Sequence, residues 1–408
     1  MAPDLRPGLS GLQPEVLAAW FAERGQPAFR ARQVNDALWA GGAATAASIG
    51  TLPGPLRAEI DAAFSLDTVD DTEIRLTEDG RTQKALHRLA DGTLIESVLM
   101  HYPARRTVDN QQRERNTVCI SSQGGCAVGC PFCATGELGF SRDLSTAEIV
   151  DQVRAAARRL APLGRRLTNV VFMGMGEPLL NLDRVLEAVS ALSDPARFGL
   201  GARHITVSTS GVVPGIRRLT ALGPQFTLAV SLHAARDPLR DVLVPLNRRW
   251  PVAEVVSAAR DHARITGRRV SYEVTMIDGV NDTDTDADAL AELLRGDLCH
   301  VNLIPMNPVA HTPWVASPMD RIERIAERLR RDGIAVTIRR NRGQEVGAAS
   351  GQLAAERSGQ PPAPAVARRR ELLVVRSAAA LRGERMTGAS DAGLVAALEP
   401  GLDPAGVV

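Results

Sequence analysis

The sequence predicts an α/β protein, a full or partial β/α barrel preceded by a small helical domain. From Val118 onward, apolar strand-like runs alternate with amphipathic helical stretches, the pattern of a parallel sheet with right-handed crossovers. Residues able to do chemistry recur just after the strands, as at the C-terminal rim of a barrel. Ahead of Val118, apolar residues at helical spacing mark short helices. A doubly wound sheet is the second architecture that fits the alternation.

Each element follows from its local pattern. Pro14-Glu-Val-Leu-Ala-Ala-Trp-Phe starts with proline and repeats apolar residues at helical spacing, and Phe29–Trp39 does the same. Short helices therefore extend to about Ala63, inside an N-terminal helical domain of residues 1–80. Thr82 to Val98 alternate, with Asp91-Gly92 as a hairpin turn, giving a hairpin and connecting segment over 81–117. Strands are expected at Val118–Ser121, Asn169–Met173, His204–Thr209, Phe226–Leu232, Val270–Met276, Val301–Ile304 and Val336–Arg339. Helices are expected at Thr146–Leu160, Leu182–Leu192, Val252–Ile265, Asp284–Leu294 and Asp320–Arg331. These fill an α/β domain over 118–353. Ser358-Gly-Gln-Pro-Pro-Ala-Pro-Ala reads as a linker, so residues 354–408 are expected to be a linker and a partly disordered tail.

The 408 residues leave room for an enzyme-sized domain and one or two smaller pieces, and 44% hydrophobic content supports a sizeable core. No run approaches the ~18 apolar residues of a membrane span. Met1-Ala-Pro-Asp-Leu-Arg-Pro lacks the basic start and apolar run of a signal peptide. Five cysteines suit a reducing cytoplasm, where the protein is expected to reside. A net charge of +1 neither indicates nor excludes a nucleic-acid partner. The basic residues are almost all arginine, Lys84 being the only lysine. Runs such as Arg165-Arg166, Arg248-Arg249, Arg339-Arg340-Asn341-Arg342 and Arg368-Arg369-Arg370 read first as solvated surface, with phosphate contact the minority reading.

The most specific signal is Cys126-Ala-Val-Gly-Cys130-Pro-Phe-Cys133, preceded by Ser121-Ser-Gln-Gly-Gly125. Three thiolates at C-x3-C-x2-C spacing suit a [4Fe–4S] cluster, whose full shell takes four ligands. One iron is then left for a substrate or cofactor to chelate, the arrangement of radical S-adenosylmethionine (SAM) enzymes. The competing readings are a zinc site, which wants a fourth Cys or His nearby, and a disulfide, which would strand one thiol. His204 and His233 sit within other patterns, and Cys299 reads as a small apolar residue at a strand start.

After the second strand of this region comes Met173-Gly174-Met175-Gly176-Glu177-Pro178. Its glycines permit close backbone approach, and Glu177 could accept from an ammonium. Further strings are Val118-Cys-Ile-Ser-Ser-Gln, Gly174-Met-Gly-Glu-Pro-Leu-Leu-Asn181, Val207-Ser-Thr-Ser-Gly-Val-Val-Pro214, Val230-Ser-Leu-His233-Ala, Asn302-Leu-Ile-Pro-Met-Asn307-Pro and Gly351-Gln-Leu353. Together, in this order, they resemble the RlmN/Cfr family of radical SAM RNA methyltransferases, the RlmN branch most closely. The resemblance runs from the N-terminal helices to about Leu353.

That resemblance implies a partial (β/α)6-type radical SAM barrel behind an RNA-binding N-terminal domain. It implies methylation of an adenosine in 23S rRNA and, for RlmN-type members, in a tRNA anticodon loop. It implies a [4Fe–4S] cluster on Cys126, Cys130 and Cys133, and SAM contacts from Gly176, Glu177, Ser208, Ser231, His233 and Asn307. Glu96 matches the family's proton acceptor, and Cys119 the cysteine that takes a proton and then attacks sulfur. An electron donor such as flavodoxin or ferredoxin, a monomeric state and no membrane partner complete the expectation.

One position departs from the pattern. Where the family carries Ala-Ala-Cys-Gly-Gln-Leu, this chain has Ala348-Ala-Ser350-Gly-Gln-Leu353. The family methylates that cysteine first, attacks the substrate through the resulting S-methyl group, and frees the product by disulfide formation. An alcohol is a far poorer nucleophile than a thiol of pKa ~8.5, and oxygen forms no disulfide. Ser350 therefore puts the methyl-cysteine route in question. Two smaller departures are the long segment between Val98 and Cys119 and the Glu345-Val346 pair. Two other functions stand beside RNA methylation: a radical SAM enzyme acting directly on another substrate without methylation, and a non-catalytic RNA-binding relative.

Overall fold

The computed structural model describes residues 6–106, 112–309, 312, 314–339, 346–347, 349–359, 364 and 366–371. Residues 107–111 of the long segment before Cys119, Arg340-Asn341-Arg342, Glu345, Ala348, most of the proline-rich linker and residues 372–408, all read above, lie outside the described residues. In chain order the helices are α1 (Pro14–Glu23), α2 (Phe29–Trp39), α3 (Gly54–Ala63), α4 (Ala134–Glu137), α5 (Thr146–Leu160), α6 (Leu182–Ser193), α7 (Val213–Leu222), α8 (Asp237–Leu243), α9 (Val252–Thr266), α10 (Asp284–Leu294), α11 (Met319–Arg331) and α12 (Gln352–Ser358). The strands are β1 (Asp70–Leu76), β2 (Thr82–Arg88), β3 (Leu94–Arg106), β4 (Gln112–Cys119), β5 (Gln123–Gly125), β6 (Phe140–Asp143), β7 (Asn169–Phe172), β8 (Ile205–Thr209), β9 (Thr227–Ser231), β10 (Val270–Met276), β11 (Cys299–Pro305) and β12 (Ala335–Ile338). The chain divides into two compact units, residues 1–124 with 141–206, and 125–140 with 207–408.

In the first unit, α1–α3 bury the apolar faces foreseen from their spacing. Leu17, Phe21, Val34, Leu38 and Ile60 form one core, and Trp20 meets Phe21 and Phe64 edge-on at 5.0 and 5.3 Å. The strand order is β1-β2-β3-β4-β7. β1 to β4 form an antiparallel meander, and β4 pairs in parallel with β7. This sheet is therefore mixed, because the hairpin strands extend the parallel part. β1 was invisible in the sequence for a physical reason: Asp-Asp-Thr-Glu-Ile-Arg-Leu buries neither face fully and so shows no apolar period. β4 begins at Gln112, where sequence suggested a connection, and leads straight into the cysteine loop.

In the second unit the order is β8-β9-β10-β11-β12, with β9 to β12 all parallel. Here the predicted strands and helices agree with the observed ones to within two residues at each end. α7 and α8 were not foreseen. α8 has only seven residues, too few for a periodic signal.

Helix α5 ties the helical core of the first unit to its sheet. It starts at a capping box, the Ser145 side chain accepting from the Glu148 N–H and Glu148 reaching back to the Ser145 N–H. Its Arg154 is buried, yet donates to the carbonyls of Leu66 at 2.8 Å and Ala43 at 2.6 Å and pairs with Asp151 at 2.5 Å. Asp151 in turn accepts from the backbone and hydroxyl of Thr68 at 2.9 and 2.8 Å. Removing one partner of such a buried pair leaves the other charge stranded, at about 3–5 kcal/mol. Arg154→Met should therefore lower the urea midpoint of unfolding by a corresponding amount, whereas the exposed Arg264→Met should leave it unchanged.

Asp67 stands beside this pair. Burial first, then the Asp151 carboxylate, raise its pKa from 3.8 to about 7, against the opposing pull of Arg158 and Arg154. The folded chain then holds the proton more tightly than the unfolded chain, so the contribution is complete below pH 3.8 and is lost as pH rises through about 7. Urea unfolding across that range should show stability falling with pH, and Asp67→Asn should flatten that part of the curve.

Candidate active site

The cysteine loop lies in the second unit, between β5 and α4. Cys126 donates its N–H to the Gly139 carbonyl at 2.7 Å, and Cys133 donates its own to Cys130 at 3.1 Å. All three cysteines stand outside any disulfide and are half-buried. Burial raises the Cys130 thiol most, followed by the charges of Cys133 and Cys126, while Arg240 and Arg369 oppose the rise. Three thiols that near each other repel as thiolates. Cys130 holds a charge more readily where cations or metal compensate it.

Among the described residues no three His, Cys, Asp or Glu side chains gather as they would around one metal ion. A zinc site would demand that gathering. A [4Fe–4S] cluster does not, because each thiolate binds a different iron at a different corner. The donor set of three thiols on one eight-residue loop thus fits a cluster better than a single ion.

The strand ends of the second unit carry the other expected residues. Ser208 and Ser231 end β8 and β9 half-buried. His233 has φ +60°, the one positive-φ non-glycine residue among those described. Its Nδ1 accepts from the Thr275 N–H at 3.1 Å, its carbonyl accepts from Asn281 at 2.8 Å, and its ring meets Phe132 of the cysteine loop edge-on at 4.8 Å. Burial first, then Arg240, lower its pKa to about 3, so it is neutral with Nε2 carrying the hydrogen. The left-handed backbone costs of order 1–3 kcal/mol and is sustained by those bonds. Past β11, the Oδ1 atom of Asn307 is buried without a hydrogen-bond partner. An orphan acceptor is expensive and fits a donor that a bound molecule would bring.

Arg240 was not anticipated. It is fully buried and donates to the carbonyls of Ser210 at 2.6 Å, Leu232 at 3.0 Å and Ser231 at 3.3 Å. It fixes the chain just after β8 and β9. No sequence signal marked it, since burial of one arginine among many has no local pattern.

Ser350 is half-buried, and its carbonyl accepts from the Thr135 hydroxyl at 2.9 Å. Gly351, at φ +85°, lies so close that an added Cβ would sit 2.6 Å from the Thr135 backbone. Position 350 is thereby pinned two residues from Cys133.

In the first unit, Gly176 stands at φ +101°, where a Cβ would lie 2.7 Å from the Gln123 backbone nitrogen. Glu177 is buried. Its N–H donates to Gln123 Oε1 at 2.8 Å and its Oε1 accepts from the Leu179 N–H at 3.0 Å. Glu96 on β3 is buried and paired with Lys84 of β2 at 2.9 Å. Its carbonyl accepts from Ser121 at 2.7 Å. Val98 lies opposite both Lys84 and Cys119, so Lys84, Glu96 and Cys119 share one face of the sheet. The missed signal for Lys84 was compositional: the single lysine of an arginine-rich chain is fully buried.

Comparison with known proteins agrees with these features. Residues 120–291 match the Radical SAM superfamily. A relative from Frankia alni, named "Probable dual-specificity RNA methyltransferase RlmN", is 51% identical over 345 residues, covering 82% of this chain and 80% of its own. Another of that name, from Parafrankia sp., is 57% identical over 68% of this chain and 72% of its own. The crystal structure of a radical SAM methyltransferase from Sphaerobacter thermophilus superposes with a TM-score of 0.81 at 46% identity, covering 85% of this chain and 98% of that one. Fold and site therefore define a radical SAM enzyme with the α/β fold of that superfamily, a mixed sheet and flanking helices. More specifically, the chain belongs to the RlmN family. Its cofactors are a [4Fe–4S] cluster and SAM. No described helix is long and apolar enough to cross a membrane.

Gly176 gives a direct test of the first-unit turn. Gly176→Ala should lower both the melting temperature and SAM retention in equilibrium dialysis, because the clash is with backbone and the φ is unfavourable, together of order 1–3 kcal/mol.

Proposed function

We propose that this chain is an RNA methyltransferase acting on adenosine in 23S rRNA and in tRNA, by a route altered at Ser350. The observation that carries the reading is the loop of three half-buried thiols in a chain about half identical to RlmN proteins. When bound, the cluster and SAM supply reductive cleavage of the sulfonium and a methyl group for transfer.

The chain's own residues have assignable tasks. Cys126, Cys130 and Cys133 hold the cluster. Gly176 keeps the turn after β7 open to close approach, and Glu177 accepts from the ammonium of SAM. Asn307 offers its buried acceptor, and Ser208, Ser231 and neutral His233 complete the polar contacts. Glu96 takes a proton from the adenine ring, its carboxylate compensated by Lys84 at 2.9 Å. Cys119, buried on the same face, supplies the remaining thiol. The N-terminal domain, residues 1–80, contributes to RNA binding, and residues 118–353 form the radical SAM barrel. Base-modifying enzymes take the target out of its stack. A flavodoxin- or ferredoxin-like donor reduces the cluster, and the enzyme works as a cytoplasmic monomer.

Ser350 favours a second reading. Its hydroxyl neither attacks SAM readily nor closes a disulfide with Cys119. An enzyme that uses radical chemistry directly on substrate would need neither step. A non-catalytic relative is disfavoured, because it would have no use for three intact thiols.

The two enzymatic readings separate in one comparison. Mass spectrometry should find 2-methyladenosine in rRNA and tRNA incubated with anaerobically reconstituted wild-type enzyme. If only Ser350→Cys produces it, together with S-methylcysteine in the protein, the second reading holds. Absence of iron and sulfide in both proteins would overturn both readings.

A further inference from the structure

The sequence assigned the region after Leu353 to a linker and tail, with no task. Within the second unit, its described part meets the cysteine loop. Residues 366–371 are helical, and Val366, Arg369 and Arg370 are buried there. Arg369 donates to the Gly129 carbonyl at 3.2 Å. Arg370 donates through Nε to the Pro131 carbonyl at 2.8 Å and pairs with buried Glu137 of α4. An added Cβ on Gly129, at φ +65°, would lie 3.2 Å from Arg369 Nη1 and 3.8 Å from Val366. Both arginines thus bond to carbonyls that lie between the cluster ligands.

Their charges differ in consequence. Arg370 is neutralised by Glu137. Arg369 has no carboxylate partner among the described residues, and its neighbour Arg248 adds like charge. A buried, unneutralised guanidinium is costly unless its counter-charge is something else. A [4Fe–4S] cluster on three thiolates is anionic and gains a further negative charge on reduction. Cluster potentials respond to nearby charge and to solvent exposure. The thiols of this loop are therefore the counter-charge that makes the position of Arg369 intelligible.

We propose that residues 366–370 form an arginine strap across the cysteine loop: Arg370 fixes the loop backbone, and Arg369 is a positioning residue whose charge raises the cluster's reduction potential. The proposal rests on the cluster reading above, and it holds whether or not RNA is methylated. It gives a segment beyond the resemblance a defined task, that of making the cluster easier to reduce and harder to lose.

The test uses the full chain, reconstituted anaerobically, and reads the potential by EPR-monitored redox titration. Arg369→Gln should retain iron and shift the one-electron reduction equilibrium about tenfold toward the oxidised cluster, ~59 mV more negative. Arg369→Lys should recover most of that shift. Arg370→Gln should release iron to a chelator several-fold faster. Arg368→Gln, at the exposed neighbour, should change neither quantity. The strap is overturned if wild-type protein holds a cluster and Arg369→Gln titrates as wild type does, or if Arg368→Gln shifts the potential equally. If wild-type protein itself holds no iron or sulfide, the cluster reading falls and takes the strap with it.

Discussion

Burial of Cys130 beside two further thiols is the constraint on which the cysteine loop depends. Cys126, Cys130 and Cys133 lie on one short loop, and Cys130 is pushed toward its neutral form by burial and by the other two. Such a loop is stable as a ligand set only when positive charge is brought to it. Metal supplies most of that charge. The protein adds Arg240 and Arg369, the two cations that oppose the rise at Cys130. Both are buried, and both also bond to backbone carbonyls, so each holds geometry and charge together.

The same pairing of charge with backbone satisfaction recurs at other arginines. Arg154 donates to three carbonyls and a carboxylate to join α5 to the helical core. Arg370 does so for Pro131 and Glu137. Guanidinium has five donors in a rigid fork, so one side chain satisfies several carbonyls that leave regular structure. Lys84 is the exception. A compact ammonium, rather than a fork, meets the carboxylate of Glu96 there.

Ser350 has a different status. Its carbonyl accepts from the Thr135 hydroxyl, and Gly351 admits no side chain against that contact. Thr135 and Gly351 thus fix this position through its backbone alone.

The sequence alone determined what local pattern can carry: the cysteine spacing, the periods of β10, α5 and α10, and the order of the motifs that identify the family. Periodicity is a property of one element facing one core, so it survives without knowledge of partners. β1 left no such trace because it buries neither face fully, and α8 is too short. Tertiary structure decided the rest. Only folding brings Lys84 to Glu96, places both on the face of Cys119, buries Arg240 among three carbonyls and lays Arg369 across the loop of Cys130. These contacts join residues far apart in the chain, and their energies arise from desolvation and charge, which no run of neighbouring residues encodes.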